Sequence, residues 1–156
     1  MRFPWQNENR ISGDTVDLKE ERTSRPSAFN DYVRTVYFGI YEHGRNEKIG
    51  ECDLRVGMND ELYYAGNIGY RIYERYRGHS YAYEACRLLL PLAYHDYHMP
   101  EVIITCSPDN TPSRRTLEKL GGELISEEEV PVWHWLYKRG EKVKRIYKFV
   151  EGLHVV

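Results

Sequence analysis

Hydrophobic and polar positions alternate along much of this chain, which is the pattern of strands with one buried face. The alternating runs are rich in β-branched and aromatic residues, and they predict strands at residues 15–21, 34–41, 48–56, 68–72, 123–130 and 144–150. A compact apolar run predicts a further strand at 101–107. The strands at 34–41, 48–56 and 68–72 follow one another through short turns, so we expect them to form an antiparallel meander.

Two segments have the helical period of about 3.6 residues. The first covers residues 80–97, with Ser80 as the expected N-cap and a bend at Pro91. The second starts at position 111 or 112 and continues to Leu120, where Gly121 and Gly122 predict its end. Both helices are expected to pack on the sheet.

The remaining segments have no regular period. Residues 23–31 predict a polar loop, and residues 130–137 predict a long aromatic loop. Residues 1–12 predict a loosely held arm, with Phe3 and Trp5 docked on the body. Because strands and helices are mixed without strict alternation, we expect a single α+β domain over residues 1–156 with a mostly antiparallel sheet.

Composition narrows the function classes. The chain has 156 residues, 41% of them hydrophobic, and a net charge of −2, which gives no general attraction to nucleic acid or to an anionic membrane. Its three cysteines are odd in number and lie in apolar runs, which is typical of reduced, buried thiols. With no leader-like start and no run of about 20 apolar residues, we expect an unprocessed cytoplasmic protein that binds small molecules.

The most informative stretch is residues 68–90, where a strand passes through a basic turn at Gly78 into a helix. The first backbone N–H groups of a helix have no intrahelical partner and lie at the positive end of its dipole. Arg77 adds a charge beside them, with Arg71 and Arg75 nearby. The pattern predicts a site for an anion such as a pyrophosphate or a carboxylate.

The residues of this junction resemble a known motif. Its matching positions are Ile68-Gly69-Tyr70, Tyr76-Arg77-Gly78, Tyr81-Ala82 and Glu84-Ala85, followed downstream by Asn110, Ser113 and Glu118-Lys119-Leu120-Gly121. In this order they resemble the two signatures of the GNAT superfamily of acetyl-CoA-dependent N-acetyltransferases. The resemblance covers about residues 34–150, and it implies the GNAT fold, a mixed, mostly antiparallel sheet flanked by helices.

The resemblance also implies a cofactor site. The family motif Arg/Gln-x-x-Gly-x-Gly/Ala falls on residues 77–82, so Ser80 takes the place of the central glycine. A register that begins at Arg75 is the less favoured alternative, since it loses the matches at Ala82 and Glu84. The residues implied to bind acetyl-CoA are Ile72, Arg77, Gly78, His79, Ser80, Tyr81, Ala82, Asn110 and Ser113. The strand that ends near Ile72 and the strand at 102–107 are implied to splay apart around the pantetheine arm.

By the same resemblance, the activity is acetyl transfer from acetyl-CoA to a primary amine of a small molecule or peptide, without a metal. The family's usual tyrosine acid and glutamate base fall on Leu117 and Thr105, which cannot act in those roles. The substitutes to consider are Tyr70, Glu51, Asp53, Ser113 and Cys106.

The acceptor side differs from the family pattern as well. Relatives place two helices before the hairpin, and residues 23–31 are too few for such a pair, so we expect a more open cleft. The aromatic loop, with Trp133 and Trp135, is expected to form part of its rim or a contact in a homodimer.

Three other functions fit parts of the sequence. Gly78-His79-Ser80-Tyr81-Ala82 resembles the nucleophile elbow of serine hydrolases, with Asp109 and His134 as later partners. His95, Asp96 and His98 form a weak metal-ligand pattern. The main alternative is a non-catalytic protein that binds coenzyme A or a partner on the same scaffold.

Overall fold

The computed structural model describes residues 10–28 and 33–152. Phe3 and Trp5, which the sequence predicts to dock on the body, lie outside the described residues. The described part has strands β1 (Arg10–Ser12), β2 (Val16–Ser24), β3 (Arg34–Glu42), β4 (Lys48–Val56), β5 (Ile68–Ile72), β6 (Val102–Cys106), β7 (Glu123–Glu129) and β8 (Val143–Phe149). Its helices are α1 (Asp60–Ala65), α2 (Tyr81–His95), α3 (Thr111–Lys119) and α4 (Trp135–Lys138). The predicted α+β class is confirmed.

The first five strands form one antiparallel sheet in the order β1-β2-β3-β4-β5, which contains the predicted meander. The sequence placed the first strand at residues 15–21 and assigned residue 12 and everything before it to a loose arm. That assignment was wrong for Arg10–Ser12, which pairs with β2. A strand of three residues is too short to show a period, so its pairing partner determines it.

Helix α1 lies between β4 and β5, where the sequence suggested only a turn. The Asn59 side chain accepts a hydrogen bond from the Leu62 N–H, Asp60 and Glu61 occupy the first turn, and Gly66 ends the helix. These are ordinary helix start and stop signals. The helix was missed because six residues are too few to establish a helical period.

Helix α2 packs on the inner face of the five-stranded sheet and builds the core. Its buried side chains are Ala85, Cys86, Leu89, Leu90, Ala93 and Tyr94. They meet inward residues of the strands, among them Leu18, Phe38, Ile40, Cys52 and Leu54. The opposite, outer face of β2 to β5 carries polar and aromatic residues. The described residues 25–28 include the start of a short 3-10 turn at Ala28, and the open cleft stays a prediction.

The last three strands form a second antiparallel sheet in the order β6-β8-β7. The sequence suggested one continuous sheet, whereas β5 and β6 share no ladder among the described strands. They meet at one end, where the buried Asn67 side chain accepts from the Ile103 N–H at 2.8 Å and donates to the Arg55 and Gly57 carbonyls at 2.9 and 2.7 Å. Asn67 therefore joins β4, β5 and β6 at the closed end of the gap between the sheets.

At the opposite edge, the buried Asp17 carboxylate holds β1 and the β3–β4 turn against β2. Arg10 Nε and His43 Nδ1 lie 3.0 and 2.8 Å from its oxygens, and the Gly44 N–H donates to it at 3.0 Å. Burial on its own raises the pKa of Asp17, but the bonds from Gly44, His43 and Arg10 together hold the pKa below its ordinary value of 3.8.

We expect Asp17→Ala to reduce the free energy of unfolding by about 3 kcal/mol, because Arg10 and the Gly44 N–H then lack a buried partner. Thermal unfolding should move down by about 6–12 °C. The pKa of Asp17 is lower in the folded protein than in the unfolded chain. The stabilisation from its ionised carboxylate is therefore complete above the ordinary pKa of 3.8, and it is lost as the pH falls from 3.8 through the lower folded-state pKa.

Asp14→Ala is the matched control, because Asp14 is an exposed aspartate three residues earlier, in the turn between β1 and β2. Its unfolding temperature should stay near that of the parent protein. Equal losses for the two variants, measured by calorimetry at pH 7, would contradict the role given to Asp17.

Candidate functional site

Two cavities lie on either side of a hydrogen bond between β5 and α3. The Tyr70 hydroxyl donates to Ser113 Oγ at 3.2 Å. One cavity, of about 670 Å³, faces the start of α2, and the other, of about 690 Å³, faces the outer surface of the five-stranded sheet. Tyr70, Arg71, Asn110 and Ser113 line both cavities. Two ligands placed in them would therefore meet at Tyr70 and Ser113.

The first cavity contains most of the cofactor residues that the sequence implied. Eight of the nine line it, namely Ile72, Arg77, Gly78, Ser80, Tyr81, Ala82, Asn110 and Ser113. His79 is not among the lining residues, and its ring lies 5.3 Å from that of Tyr81. Asn110 caps α3, because its side chain accepts from the Ser113 N–H.

This cavity has four cationic lining residues, Arg71, Arg77, Arg115 and Lys119, and no carboxylate among its described lining side chains. Sequence reasoning missed Arg115 and Lys119. Their spacing of four on a helix puts them on one face, and this signal was available. A polyanion such as the diphosphate and ribose phosphate of coenzyme A suits this lining.

Ser80 has a left-handed backbone with φ 60° and ψ 26°, and its side chain makes no capping hydrogen bond. Ser80 is thus the N-cap residue, as predicted, but the capping bond expected from its side chain is not formed. Glycine adopts this conformation at little cost, which explains why the family motif has glycine there. Because Ser80 does not cap them, the first N–H groups of α2 stay open to the cavity.

The sequence predicts that Arg77 places its charge beside the start of α2, but part of its guanidinium binds β5 instead. Its Nε donates to the Ile72 carbonyl at 2.9 Å, so the side chain folds back on the end of β5. Ile72 is one of the residues implied to bind acetyl-CoA, and its carbonyl could accept from a pantetheine amide. A carbonyl oxygen has two lone pairs, and one remains for such a bond.

Burial raises the pKa of Tyr70, and the bond to Ser113 opposes this only in part. The phenol therefore stays protonated at neutral pH and acts as a hydrogen-bond donor. Because it donates to Ser113 Oγ, the hydroxyl proton of Ser113 is directed to another acceptor. The pair presents one polarised O–H group at the junction of the cavities.

The two positions that match the family's usual acid and base carry no group that could exchange a proton with the substrate. Leu117 is fully buried in the core, and the Thr105 hydroxyl donates to the Tyr64 carbonyl at 2.8 Å. Burial raises the pKa of the Cys106 thiol, which is 3% exposed, so a thiolate is disfavoured there.

The second cavity has charged walls of both signs. Glu51 and Asp53 of β4 line it together with Arg55, Arg71 and Trp135. Asp53 is bound by Arg55 Nε at 2.7 Å, whereas Glu51 is 3.8 Å from Lys48 Nζ with its side chain 48% exposed. Of these two candidate bases, Glu51 therefore has the weaker ion pair and the more accessible carboxylate.

The aromatic segment after β7 forms one wall of this cavity. Trp135 lines it, while Trp133, expected at the same rim, is not among the lining residues and is 52% exposed. His134 fixes the segment, since its Nε2 donates to the Glu61 carbonyl at 2.8 Å and its Nδ1 accepts from the Leu136 N–H at 3.0 Å. Neither nitrogen is available to activate Ser80, which argues against the hydrolase alternative.

Residues 10–28 and 33–152 offer neither a metal site nor a membrane-spanning helix. No group of three or more His, Cys, Asp or Glu side chains is placed to hold a metal ion. In the same residues, no helix has the length and apolar character needed to cross a membrane.

Comparison with known proteins agrees with this geometry. The family model described as "Acetyltransferase (GNAT) domain" matches residues 1–123. The uncharacterized N-acetyltransferase YnaD of Bacillus subtilis (strain 168) is 33% identical over 54 residues, which are 35% of this chain and 32% of that protein.

Two solved structures share the fold. A GNAT-family acetyltransferase from Bacillus anthracis superposes with a TM-score of 0.59 at 24% identity, over 74% of this chain and 66% of that one. The Microcin C7 self immunity acetyltransferase MccE, solved with acetyl-CoA and AMP, has a TM-score of 0.56 at 17% identity, over 74% of this chain and 61% of that one. The aligned part is thus about a third of the curated relative and less than two thirds of either structure.

Proposed function

Because the chain belongs to the GNAT acetyltransferase family, we propose that it transfers an acetyl group from acetyl-CoA to a primary amine of a small molecule or peptide. One observation carries the proposal. A cavity lined by four cations and no described carboxylate meets a second, mixed-charge cavity at the Tyr70–Ser113 pair. The first suits the nucleotide and the second suits an acceptor, and we call them the nucleotide cavity and the acceptor cavity.

In this proposal, the diphosphate lies at the start of α2. The open N–H groups after Ser80 and the guanidinium of Arg77 provide its donors. Arg115 and Lys119 on α3 face the same cavity and would hold further phosphate charge. The pantetheine arm would then pass Ile72 and Asn110 toward Ser113.

When bound, acetyl-CoA supplies a thioester carbonyl, to which the amine nitrogen bonds as the carbon–sulfur bond breaks. The amine loses a proton and the departing sulfur gains one. Ser113 is placed to donate to the sulfur, with its oxygen held by the Tyr70 hydroxyl. Glu51 is the carboxylate we propose to receive the amine proton, because it lines the acceptor cavity and is only loosely held by Lys48.

We also propose a cellular compartment and an oligomeric state, and neither is needed for the proposed reaction. Cys52, Cys86 and Cys106 are buried free thiols, and such thiols persist in a reducing cytoplasm. Val132 and Trp133 are exposed apolar residues beside the acceptor cavity wall, and a homodimer through them stays a prediction.

The cofactor site is tested by two opposite changes at Ser80. Ser80→Gly should leave acetyl-CoA affinity unchanged or improve it, because glycine accepts a positive φ. Ser80→Val should weaken binding about 10-fold, since a β-branched residue costs about 1–2 kcal/mol in the left-handed region. Isothermal calorimetry with acetyl-CoA measures both.

Equal affinity for the valine and glycine variants would contradict the assignment of this turn to the diphosphate. Release of free CoA with a panel of amines tests the transfer itself. Tight binding of acetyl-CoA without CoA release from any amine would favour the non-catalytic alternative.

A further inference from the structure

One wall of the acceptor cavity carries more positive than negative charge. Lys144 and Arg139 both line the cavity and both bind the same carboxylate, Glu141. Lys144 Nζ donates to Glu141 Oε1 at 2.5 Å, and Arg139 donates to Glu141 Oε2. Burial alone would raise the pKa of Glu141, but Lys144 and Arg139 hold it below the ordinary value of 4.5. Glu141 is therefore ionised, and two cations share one anion.

Lys144 is unusual because its charge is buried. The residue is 7% exposed, and among the described residues its ammonium has one hydrogen-bond acceptor, Glu141. An ammonium has three donors, and buried donors are rarely left without partners. Because Lys144 lines the cavity, its remaining donors are available to an acceptor bound there.

The charged residues of the cavity as a whole disfavour a strongly cationic ligand. Its charged lining residues are the carboxylates Glu21, Glu51, Asp53 and Glu141 and the cations Arg22, Arg55, Arg71, Arg139 and Lys144. The cations are in the majority, so a polyamine would meet net repulsion. The loosely held Glu51 instead offers a site for one positive group of a ligand. The wall with Lys144 and Arg139 offers a site for one negative group.

We propose that the acceptor is a free amino acid or a close analogue, whose carboxylate binds beside Glu141, on the Lys144 donors that Glu141 leaves unused and next to Arg139, while its amine faces the Tyr70–Ser113 junction. The Trp135 ring, with Arg139 stacked 5.2 Å from its centroid, lies beside this carboxylate site. It forms an apolar surface for the ligand's side chain. This inference rests on the proposed acetyl transfer for its assignment of the reacting amine.

The test compares each carboxylate ligand with its amide. CoA release is measured for free amino acids, for the matching amino acid amides and for spermidine. The free acids should be at least about 10-fold better by kcat/KM, because the amides cannot form charge-assisted bonds to Lys144. In Lys144→Met the preference for the acid should disappear, with the KM for acetyl-CoA unchanged.

Two variants keep the result interpretable. Lys142→Met removes an exposed lysine that does not line the cavity, and it should keep the preference. Arg139→Met changes a side chain that is 65% exposed, so folding is preserved, and it should reduce the preference in part. Amides or spermidine used as well as the acids by the parent protein, or equal losses on acid and amide in Lys144→Met, would overturn the inference.

A binding measurement tests the carboxylate site independently of the proposed acetyl transfer. Calorimetry with N-acetyl amino acids and their amides, in the presence of CoA, needs no turnover. Preferential binding of the acids without CoA release from any amine would refute the transfer and retain the carboxylate site. Failure of every N-acetyl amino acid to bind would refute the carboxylate site.

Discussion

Ser113→Ala is expected to lower kcat about 100-fold, the size typical of losing a donor to the charge that develops in the transition state. Ser113 lies where the two cavities meet, and its oxygen accepts a hydrogen bond from Tyr70 at 3.2 Å. In the proposed mechanism, its own proton goes to the departing sulfur. The KM for acetyl-CoA should change little, because the four cations of the nucleotide cavity are untouched. Steady-state kinetics with the best acceptor of the amine panel separates the two constants.

Thr116→Val is the matched control, since Thr116 lies on the same helix and lines the nucleotide cavity but not the acceptor cavity. It should keep kcat within about twofold. Tyr70→Phe should give a smaller loss of about 10-fold, because it removes only the bond that orients Ser113. A loss in Thr116→Val equal to that in Ser113→Ala would show that the helix, and not the hydroxyl, is responsible.

The pH dependence gives an independent check on Tyr70. Burial raises the pKa of Tyr70 above its ordinary value of 10.0. The phenol therefore remains protonated as the pH rises to 10, and kcat should show no decline from its ionisation below that pH. A decline centred below pH 9 that is absent in Tyr70→Phe would contradict this assignment.

The second large effect is expected at Asn67. Asn67→Ala should reduce the free energy of unfolding by about 3 kcal/mol, because it leaves the Ile103 N–H and the Arg55 and Gly57 carbonyls without their buried partner. Acceptor affinity should also fall, since the closed end of the gap between the sheets fixes its width. Urea unfolding measures the first effect.

Asn67→Asp sharpens the test with almost no change of shape. Its carboxylate oxygen would face the two carbonyl oxygens in place of the amide donor, so the loss should be at least as large. Asn46→Ala, at an exposed position of the β3–β4 turn, should stay within about 0.5 kcal/mol of the parent. Wild-type stability in Asn67→Asp would refute the junction role.

Periodic segments of the sequence were predicted well. The strand at 48–56 has the observed bounds, and the helix predicted from Ser80 to Tyr97 is observed as Tyr81–His95. Each of these elements buries one face over several helical turns or several strand repeats. The period of its apolar positions can therefore be recognised in the sequence. Arg10–Ser12, α1 and α4 are three to six residues long and were missed, because a pattern needs several repeats to appear.

The chain's own sequence determined the family, through ordered motifs that place a basic turn at the start of α2, and it identified eight of the residues that line the nucleotide cavity. Only the tertiary structure decided how those residues are used. Ser80 leaves the helix N–H groups uncapped, Tyr70 donates to Ser113, and Lys144 shares Glu141 with Arg139. The reason is physical. Local patterns fix the backbone period, whereas hydrogen bonds and ion pairs join residues far apart in sequence, which meet only when the two sheets pack.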